Sequence, residues 1–377
     1  MIFHHIHRSI PPKNSPIITP HFKKISLVND ISFYLHRLTG TVSVENPILV
    51  ERPSTNLKRV VESEKTIKYT VFRKYNEVII GGMGGSGIVG SIATDLYSTL
   101  SPIPIVLLRV QKLPAWANKN TLVIVNSYSG NTSEMLSLYN DAKERGCGTV
   151  CITSGGKLRK IAEENKANII MIAGGYMPRS DMTTPLAHVL SVIDSQIGTD
   201  LHTKFINTLK KIIPYAEELE SPEMNYAKEL ALKLSCNTPF FYTSEKTQCV
   251  ASRWRAQFNE NAKKVAGDGV FPEFDHNELE GWAGDICKTN LPVFIRTKAD
   301  GETAKYMDAC KDVIKKWGVD PLIINIPGDT HMESIMYGII LGDYVSLYVA
   351  ELQKKDPSPV DAITEFKRIM KDRQKTD

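Results

Sequence analysis

A buried strand that runs straight into a helix constrains this chain more than any other feature of its sequence. The segment TLVIVN (121–126) is apolar and β-branched, which is typical of a strand buried on both faces of a parallel sheet. In the segment that follows, SYSGNTSE (127–134), Glu134 stands three positions after Asn131, as in a capping box. We therefore predict a helix that begins inside this hydroxyl cluster, at the end of the strand.

The hydroxyl cluster suits a bound anion. The first backbone N–H groups of a helix have no intrahelical partner and carry the positive end of the helix dipole. Ser127, Ser129 and Thr132 would add side-chain donors to these groups. A phosphate monoester offers enough acceptor oxygens to use all of them. The alternative is an ordinary N-cap surrounded by solvated serines.

A second loop, GGMGGSG (81–87), follows a strand-like segment at 76–80 and precedes a helix-like one at 88–97. Its glycines at 82, 84 and 87 satisfy G-x-G-x-x-G, so a dinucleotide site of the Rossmann type is one interpretation. The acidic residue that would bind the ribose should close the next strand, 104–110, but Arg109 stands there. Arg109 would suit only the 2′-phosphate of NADP.

A sugar phosphate explains both loops, whereas a dinucleotide leaves the hydroxyl cluster one strand later without a role. Gly84 and Gly85 would let the backbone approach the substrate closely. Ser86 would either contact the substrate with its hydroxyl or cap the helix, and these two roles are compatible.

Strand-like and helical segments alternate along most of the chain, which is the rhythm of parallel α/β sheets. A first series of strands is predicted at 76–80, 104–110, 121–126, 149–154 and 168–172, and a second at 239–244, 291–296 and 321–326. We predict an N-terminal extension and helix (1–55), two α/β domains (56–200 and 201–355) and a terminal helix (356–377). Residues 1–25 are assigned no chemistry.

Composition narrows the class of protein. A chain of 377 residues with 42% hydrophobic content provides core for about two domains. The 46 basic and 42 acidic residues nearly balance, which argues against nucleic acid as a partner. The 6 cysteines form no C-x-x-C pair, and no run of 18 apolar residues occurs, so we expect a cytoplasmic protein without structural zinc, metal or membrane segment.

Several further motifs accompany the two loops, and together they resemble the sugar isomerase (SIS) domain proteins, specifically the bifunctional phosphoglucose/phosphomannose isomerase family known mainly from archaea. The motifs are GGMGGSG (81–87), SYSGNTSE (127–134), ITSGGKL (152–158), PRS (178–180), NENAK (259–263), DHNELEGW (275–282) and the tail at 342–367. The resemblance implies two SIS domains, each a flavodoxin-like three-layer α/β/α unit. It implies reversible isomerisation of glucose 6-phosphate and mannose 6-phosphate with fructose 6-phosphate through a cis-enediolate, with no cofactor.

The resemblance also implies the catalytic residues. Glu260 is the base that moves the proton between C1 and C2, and Arg179 stabilises the enediolate beside Pro178. His276 opens the sugar ring from the neighbouring subunit of a homodimer with composite active sites, and Lys367 acts with it at the ring oxygen.

From the sequence alone, each of these four residues is also explained as a side chain without a catalytic role. Glu260 would pair with Lys263 on a helix, Arg179 and Lys367 would be solvated, and His276 would be solvated or would cap a helix. Two other functions therefore stay open. One is a SIS isomerase of another sugar phosphate, and the other is a non-catalytic sugar-phosphate-binding protein.

Overall fold

Two parallel sheets form the centre of the computed structural model, which describes residues 52–64, 69, 73–284 and 289–373. The predicted extension at residues 1–25 lies outside these ranges. The strands are β1 (Glu77–Gly81), β2 (Ile105–Leu108), β3 (Thr121–Asn126), β4 (Gly148–Thr153), β5 (Asn168–Met171), β6 (Thr238–Ser244), β7 (Gly267–Phe271), β8 (Asn290–Arg296) and β9 (Leu322–Asn325). The helices are α1 (Pro53–Glu62), α2 (Gly84–Tyr97), α3 (Ser133–Glu144), α4 (Gly156–Glu164), α5 (Thr183–Ile197), α6 (Leu201–Glu220), α7 (Tyr226–Ser235), α8 (Gln248–Glu260), α9 (Glu273–His276), α10 (Glu278–Trp282), α11 (Thr303–Lys316), α12 (His331–Leu352) and α13 (Asp361–Arg373).

The two sheets share one strand order. The first runs β2-β1-β3-β4-β5 and the second β7-β6-β8-β9, and all neighbouring strands are parallel. The first order is the flavodoxin-like one, and the second repeats it with one strand fewer. The predicted fold class is therefore confirmed, while the four predicted domain limits stay a prediction.

Helices cover both faces of the first sheet. Val78 and Ile80 of β1 point into one apolar cluster, whereas Ile79 between them points into another on the opposite face. This alternation follows from the strand period of two residues. The cluster that holds Val78 and Ile80 also contains Phe241 of β6, so one core joins the two sheets. Because helices cover both faces, the loops lie at the ends of the strands, where a site can form.

The second sheet contains a strand that the sequence did not predict. This strand, β7, has the sequence GDGVF, and Gly267 and Gly269 interrupt the apolar pattern. It forms because each of its residues pairs with β6, from Phe240 to Ser244. Between the two sheets, α6 is a single long helix with Pro214 inside it.

One described helix, α12, is long and apolar enough to cross a membrane by length and composition alone. However, 78% of its most apolar window is buried inside the protein. A capping box of Thr330 and Glu333 begins the helix, and its residues pack in the main core. Its hydropathy is thus explained by core packing.

His188 of α5 makes the fold sensitive to acid. Burial, and then repulsion from His202 of α6, lower the pKa of His188 from 6.5 to about 4, against the attraction of Asp181. Because the unfolded chain binds this proton more tightly, stability is lost as the pH falls from 6.5 towards 4. Between pH 7 and pH 5 we expect a loss of about 2 kcal/mol from this group. Urea unfolding of the wild type and of His188→Gln at both pH values measures it, and equal losses in the two proteins would contradict the assignment.

Candidate active site

The two predicted loops meet at the carboxyl edge of the first sheet. The Ser86 hydroxyl, in the first turn of α2, accepts a hydrogen bond from the Tyr128 N–H at 3.2 Å. The Asn126 side chain at the end of β3 donates to the Ser86 carbonyl at 3.0 Å. Parallel strands end at one edge, so loops that are about 40 residues apart in sequence become neighbours.

Ser127 is the most enclosed hydroxyl of the predicted cluster. It is 2% exposed, and its Oγ has no hydrogen-bond partner among the described residues. Ser129 is exposed and accepts from the Asn131 N–H at 3.3 Å. The predicted capping box of Asn131 and Glu134 is wrong, because Thr132 is the N-cap of α3 and no side chain caps that position. Asn131 instead accepts from the Lys157 N–H in the first turn of α4.

The loop after β5 lies directly against the glycine loop. A Cβ at Gly85 would stand 2.6 Å from the Pro178 carbonyl oxygen, so only glycine lets the two backbones approach this closely. Gly84 has φ +52°, a conformation that L side chains rarely adopt. Pro178 is exposed, and Arg179 next to it is 6% exposed. The glycine loop therefore leaves room for the loop that carries Arg179.

Three of the five N–H groups of Arg179 are held by the protein. Nε donates to Asn261 Oδ1 at 2.9 Å, and Nη2 donates to the carbonyls of Pro357 at 2.5 Å and Ser358 at 3.0 Å. The Nη1 edge lies 3.5 Å from Glu260 Oε2. Burial lowers the pKa of Arg179, and the Glu260 charge opposes this. The guanidinium is thus fixed in one orientation, with its Nη1 edge beside the carboxylate.

Glu260 is the last residue of α8, and its side chain is 27% exposed. The negative end of the helix dipole disfavours a carboxylate at this position. The Arg179 guanidinium, 3.5 Å away, offsets this effect by stabilising the negative charge of Glu260. The structure thereby brings together two predicted site residues that are about 80 positions apart.

Buried polar side chains connect the segments that carry this pair to helix α12. Arg253 of α8 forms a bidentate ion pair with Asp343 of α12, with both N–O distances 2.9 Å. Arg253 also donates to the Arg179 carbonyl at 2.6 Å. Asn261 donates to Ser346 Oγ at 3.0 Å. Long helix α12 therefore anchors both α8 and the Arg179 loop.

His276 lies away from Glu260 within the chain. The end of α8 meets the start of β7, where the Ala266 N–H donates to Asn259 Oδ1 at 3.2 Å. His276 is an exposed residue of α9, beyond the far end of β7. A strand of this length spans about 13 Å, so the helix end that carries Glu260 and the helix that carries His276 lie at opposite ends of β7. In the described part of the chain, no hydrogen bond or ion pair joins His276 to Asp275 or Glu278, and Glu278 accepts from the Tyr242 hydroxyl.

Lys367 lies on α13, none of whose residues is buried. The apolar side chains of this helix are open to solvent, with Phe366 61% exposed and Ile363 43% exposed. The structure therefore joins Glu260, Arg179, Pro178 and the glycine loop, and leaves His276 and Lys367 outside this group.

Five contributors to the site were not predicted: Arg253, Asn261, Lys263, Asp343 and the carbonyls of 357–359. The NENAK motif contains Asn261 and Lys263, and the tail motif contains Asp343 and residues 357–359, whereas Arg253 lies in none of the motifs. The sequence motifs could not show which residues these side chains contact, because each contact joins segments that are distant in sequence.

A pre-formed carboxylate and guanidinium beside a hydroxyl-rich sheet edge suit proton transfer on a phosphorylated substrate. Within the described ranges, no group of three or more His, Cys, Asp or Glu side chains could hold a metal ion. Arg109, the candidate for a dinucleotide phosphate, donates to Ser91 Oγ of α2 at 2.6 Å.

Two flavodoxin-like sheets with this loop arrangement define a protein of the SIS class. A hypothetical protein from Thermus thermophilus has the same fold, with a TM-score of 0.64, 15% identity and coverage of 92% of this chain and 95% of that one. The family model "Bacterial phospho-glucose isomerase C-terminal SIS domain" matches residues 223–370. Bifunctional phosphoglucose/phosphomannose isomerases of Caldicellulosiruptor bescii and Aquifex aeolicus are 35% and 32% identical, covering 81% and 79% of this chain and 93% and 91% of theirs. The chain belongs to the bifunctional phosphoglucose/phosphomannose isomerase family.

Proposed function

We propose that this protein interconverts glucose 6-phosphate and mannose 6-phosphate with fructose 6-phosphate. The observation that carries the proposal is the Arg179–Glu260 pair, 3.5 Å apart beside the glycine loop. Membership of the family supports the choice of substrates. The two aldoses differ only at C2, so one enediolate that is protonated on either face of C2 leads to both.

The hydroxyl-rich edge is suited to hold the phosphate. Ser127 Oγ is buried and has no partner within the described chain, so it is ready to donate to a phosphate oxygen. Ser86 lies beside it at the start of α2, whose first N–H groups favour an anion. We assign Gly84, Gly85, Ser129 and Thr132 to the same subsite.

We assign the proton transfer to the carboxylate of Glu260. In the direction from the ketose, Glu260 takes a proton from C1 and returns it to C2, while the hydroxyl proton passes from O1 to O2, so the carboxylate is regenerated. The negative charge that develops on the enediolate oxygens meets the Nη1 edge of Arg179, which Asn261, Pro357 and Ser358 already hold in place. A fixed charge costs no reorganisation during the reaction.

Ring opening requires a second group, and we assign it to His276 and Lys367 of a homodimer. Within one chain, β7 separates His276 from Glu260, so a histidine from the partner subunit would complete the site. The open apolar face of α13 would then be covered by subunit contact or by movement onto the site. We place this reaction in the cytoplasm.

Mixing two inactive variants tests the composite site. We expect Glu260→Gln and His276→Asn each to be inactive, because each lacks one group of the site. Unfolding and refolding the two together should restore about a quarter of wild-type activity, because half of the dimers are mixed and each holds one intact site. No recovery, with mixed dimers demonstrated by mass, would place both residues in one chain's site.

The function itself is tested by isomerisation of fructose 6-phosphate with EDTA present, measuring the two aldose phosphates separately. Both products support the proposal. Glucose 6-phosphate alone would keep the mechanism and narrow the substrate. Neither product would contradict the proposal and favour another sugar phosphate or a binding protein.

A further inference from the structure

Three backbone carbonyls converge on the ammonium group of Lys263. Its Nζ donates to Glu260 O at 2.5 Å, Pro359 O at 2.6 Å and Pro357 O at 3.2 Å. An ammonium has three N–H donors, so this contact set uses all of them. The sequence suggested a surface pair between Lys263 and the Glu260 side chain, but the contact is with the Glu260 backbone.

The backbone at Lys263 is itself unusual. Its φ is +53°, a left-handed conformation that residues other than glycine adopt rarely. It follows the end of α8, where the Lys264 N–H donates back to Phe258 O at 3.1 Å. Such a conformation persists only where the surroundings hold it, and it is often found at functional sites. The tight turn directs Lys263 back over the helix end that carries Glu260.

The strap, which we define as residues 356–360, connects Lys263 with Arg179. The Pro357 carbonyl accepts from Lys263 Nζ and from Arg179 Nη2, and the adjacent Ser358 carbonyl also accepts from Arg179. The strap leads directly into α13, which has no buried residue of its own. Lys263 therefore holds one of the two carbonyls that orient Arg179, that of Pro357, together with the nearby carbonyl of Pro359.

We propose that Lys263 is a positioning residue, which clasps the strap to the end of α8 and thereby sets the Nη1 edge of Arg179 against Glu260. The inference rests on the proposed function of these two residues. The clasp also fixes the point from which α13 and Lys367 extend. Among the described residues, Lys263 Nζ contacts the backbone oxygen of Glu260 and forms no ion pair with its carboxylate, so we place its effect on the site through Arg179.

The test compares Lys263→Met with Lys264→Met. Methionine keeps the length of the side chain and the same backbone constraint but removes the three donors. Lys264 is a matched control, because its Nζ donates to Ser235 O, away from the strap. In Lys263→Met we expect kcat for fructose 6-phosphate to fall about 10- to 100-fold, the loss that a small misplacement of catalytic groups causes. KM should change by less than about threefold, because the phosphate loops are untouched.

A second measurement is independent of activity. Hydrogen exchange of the substrate-free protein should become faster at the amides of 358–364 in Lys263→Met and stay unchanged there in Lys264→Met. Unchanged exchange in Lys263→Met would overturn the clasp, whatever the activity. Faster exchange with wild-type kcat would overturn the positioning role. If the wild type has no isomerase activity, the proposed function fails, while the exchange result still decides whether the clasp exists.

Discussion

Replacing Glu260 with glutamine is expected to abolish turnover while sugar-phosphate binding is retained. The amide has nearly the same shape and can still accept from Arg179, but it cannot take the proton from C1 or C2. Loss of a general base lowers kcat by about 100- to 10,000-fold. The thermal midpoint should change little, because the pair lies at 3.5 Å and the side chain is partly exposed.

The measurement is steady-state isomerisation together with calorimetric titration of fructose 6-phosphate. Glu144→Gln is the control, because Glu144 is likewise the last residue of a helix, α3, but is exposed and distant from Arg179. Turnover of Glu260→Gln within a few-fold of wild type would remove Glu260 from the chemistry. Loss of binding as well as turnover would point to a structural role.

Replacing Arg179 with lysine is expected to lower kcat by about 100- to 1,000-fold, the usual cost of removing a donor that stabilises developing charge. Lysine keeps the charge, but its compact ammonium cannot reach Asn261, the strap carbonyls and the substrate together. Some of the groups that Arg179 now satisfies would lose their donor. We therefore also expect a loss of stability of about 1–3 kcal/mol for each acceptor left buried and unpaired.

Kinetics and thermal unfolding of the same preparation separate these two effects. Arg159→Lys is the control, because Arg159 forms an exposed i,i+4 ion pair with Glu163 and should change neither quantity. Wild-type kcat in Arg179→Lys would show that a point charge is sufficient. A folded protein with reduced kcat and a KM close to wild type would support a role in stabilising the enediolate.

The difference between these two variants follows from their surroundings. Within the described ranges, Glu260 makes one ion pair and is partly open to solvent, so glutamine removes chemistry and little else. Arg179 is buried and connects three segments of the chain, so its loss disturbs both the site and the packing around it. The same substitution strategy therefore yields a mechanistic result at one position and a combined result at the other.

Local pattern was a good guide to the elements of this fold and failed where tertiary contacts overrode it. β3 is a continuous apolar run, and its prediction at 121–126 matches Thr121–Asn126. The sequence did not predict β7, because two glycines interrupt its apolar pattern. The strand forms because it pairs with β6. The capping box predicted at Asn131 is absent, whereas a real one stands at Thr330 and Glu333.

The features of the site, like the elements of the fold, were determined in part by local sequence and in part by tertiary contacts. Residues close together along the chain were enough to establish the alternation of strands and helices, the hydroxyl and glycine loops and the chemical types available. The folded chain alone reveals that Arg179 lies against Glu260, that Lys263 holds the strap, and that His276 lies beyond the far end of β7. The physical reason is that such contacts arise from packing helices on sheets, which joins segments whose local patterns carry no record of their partners.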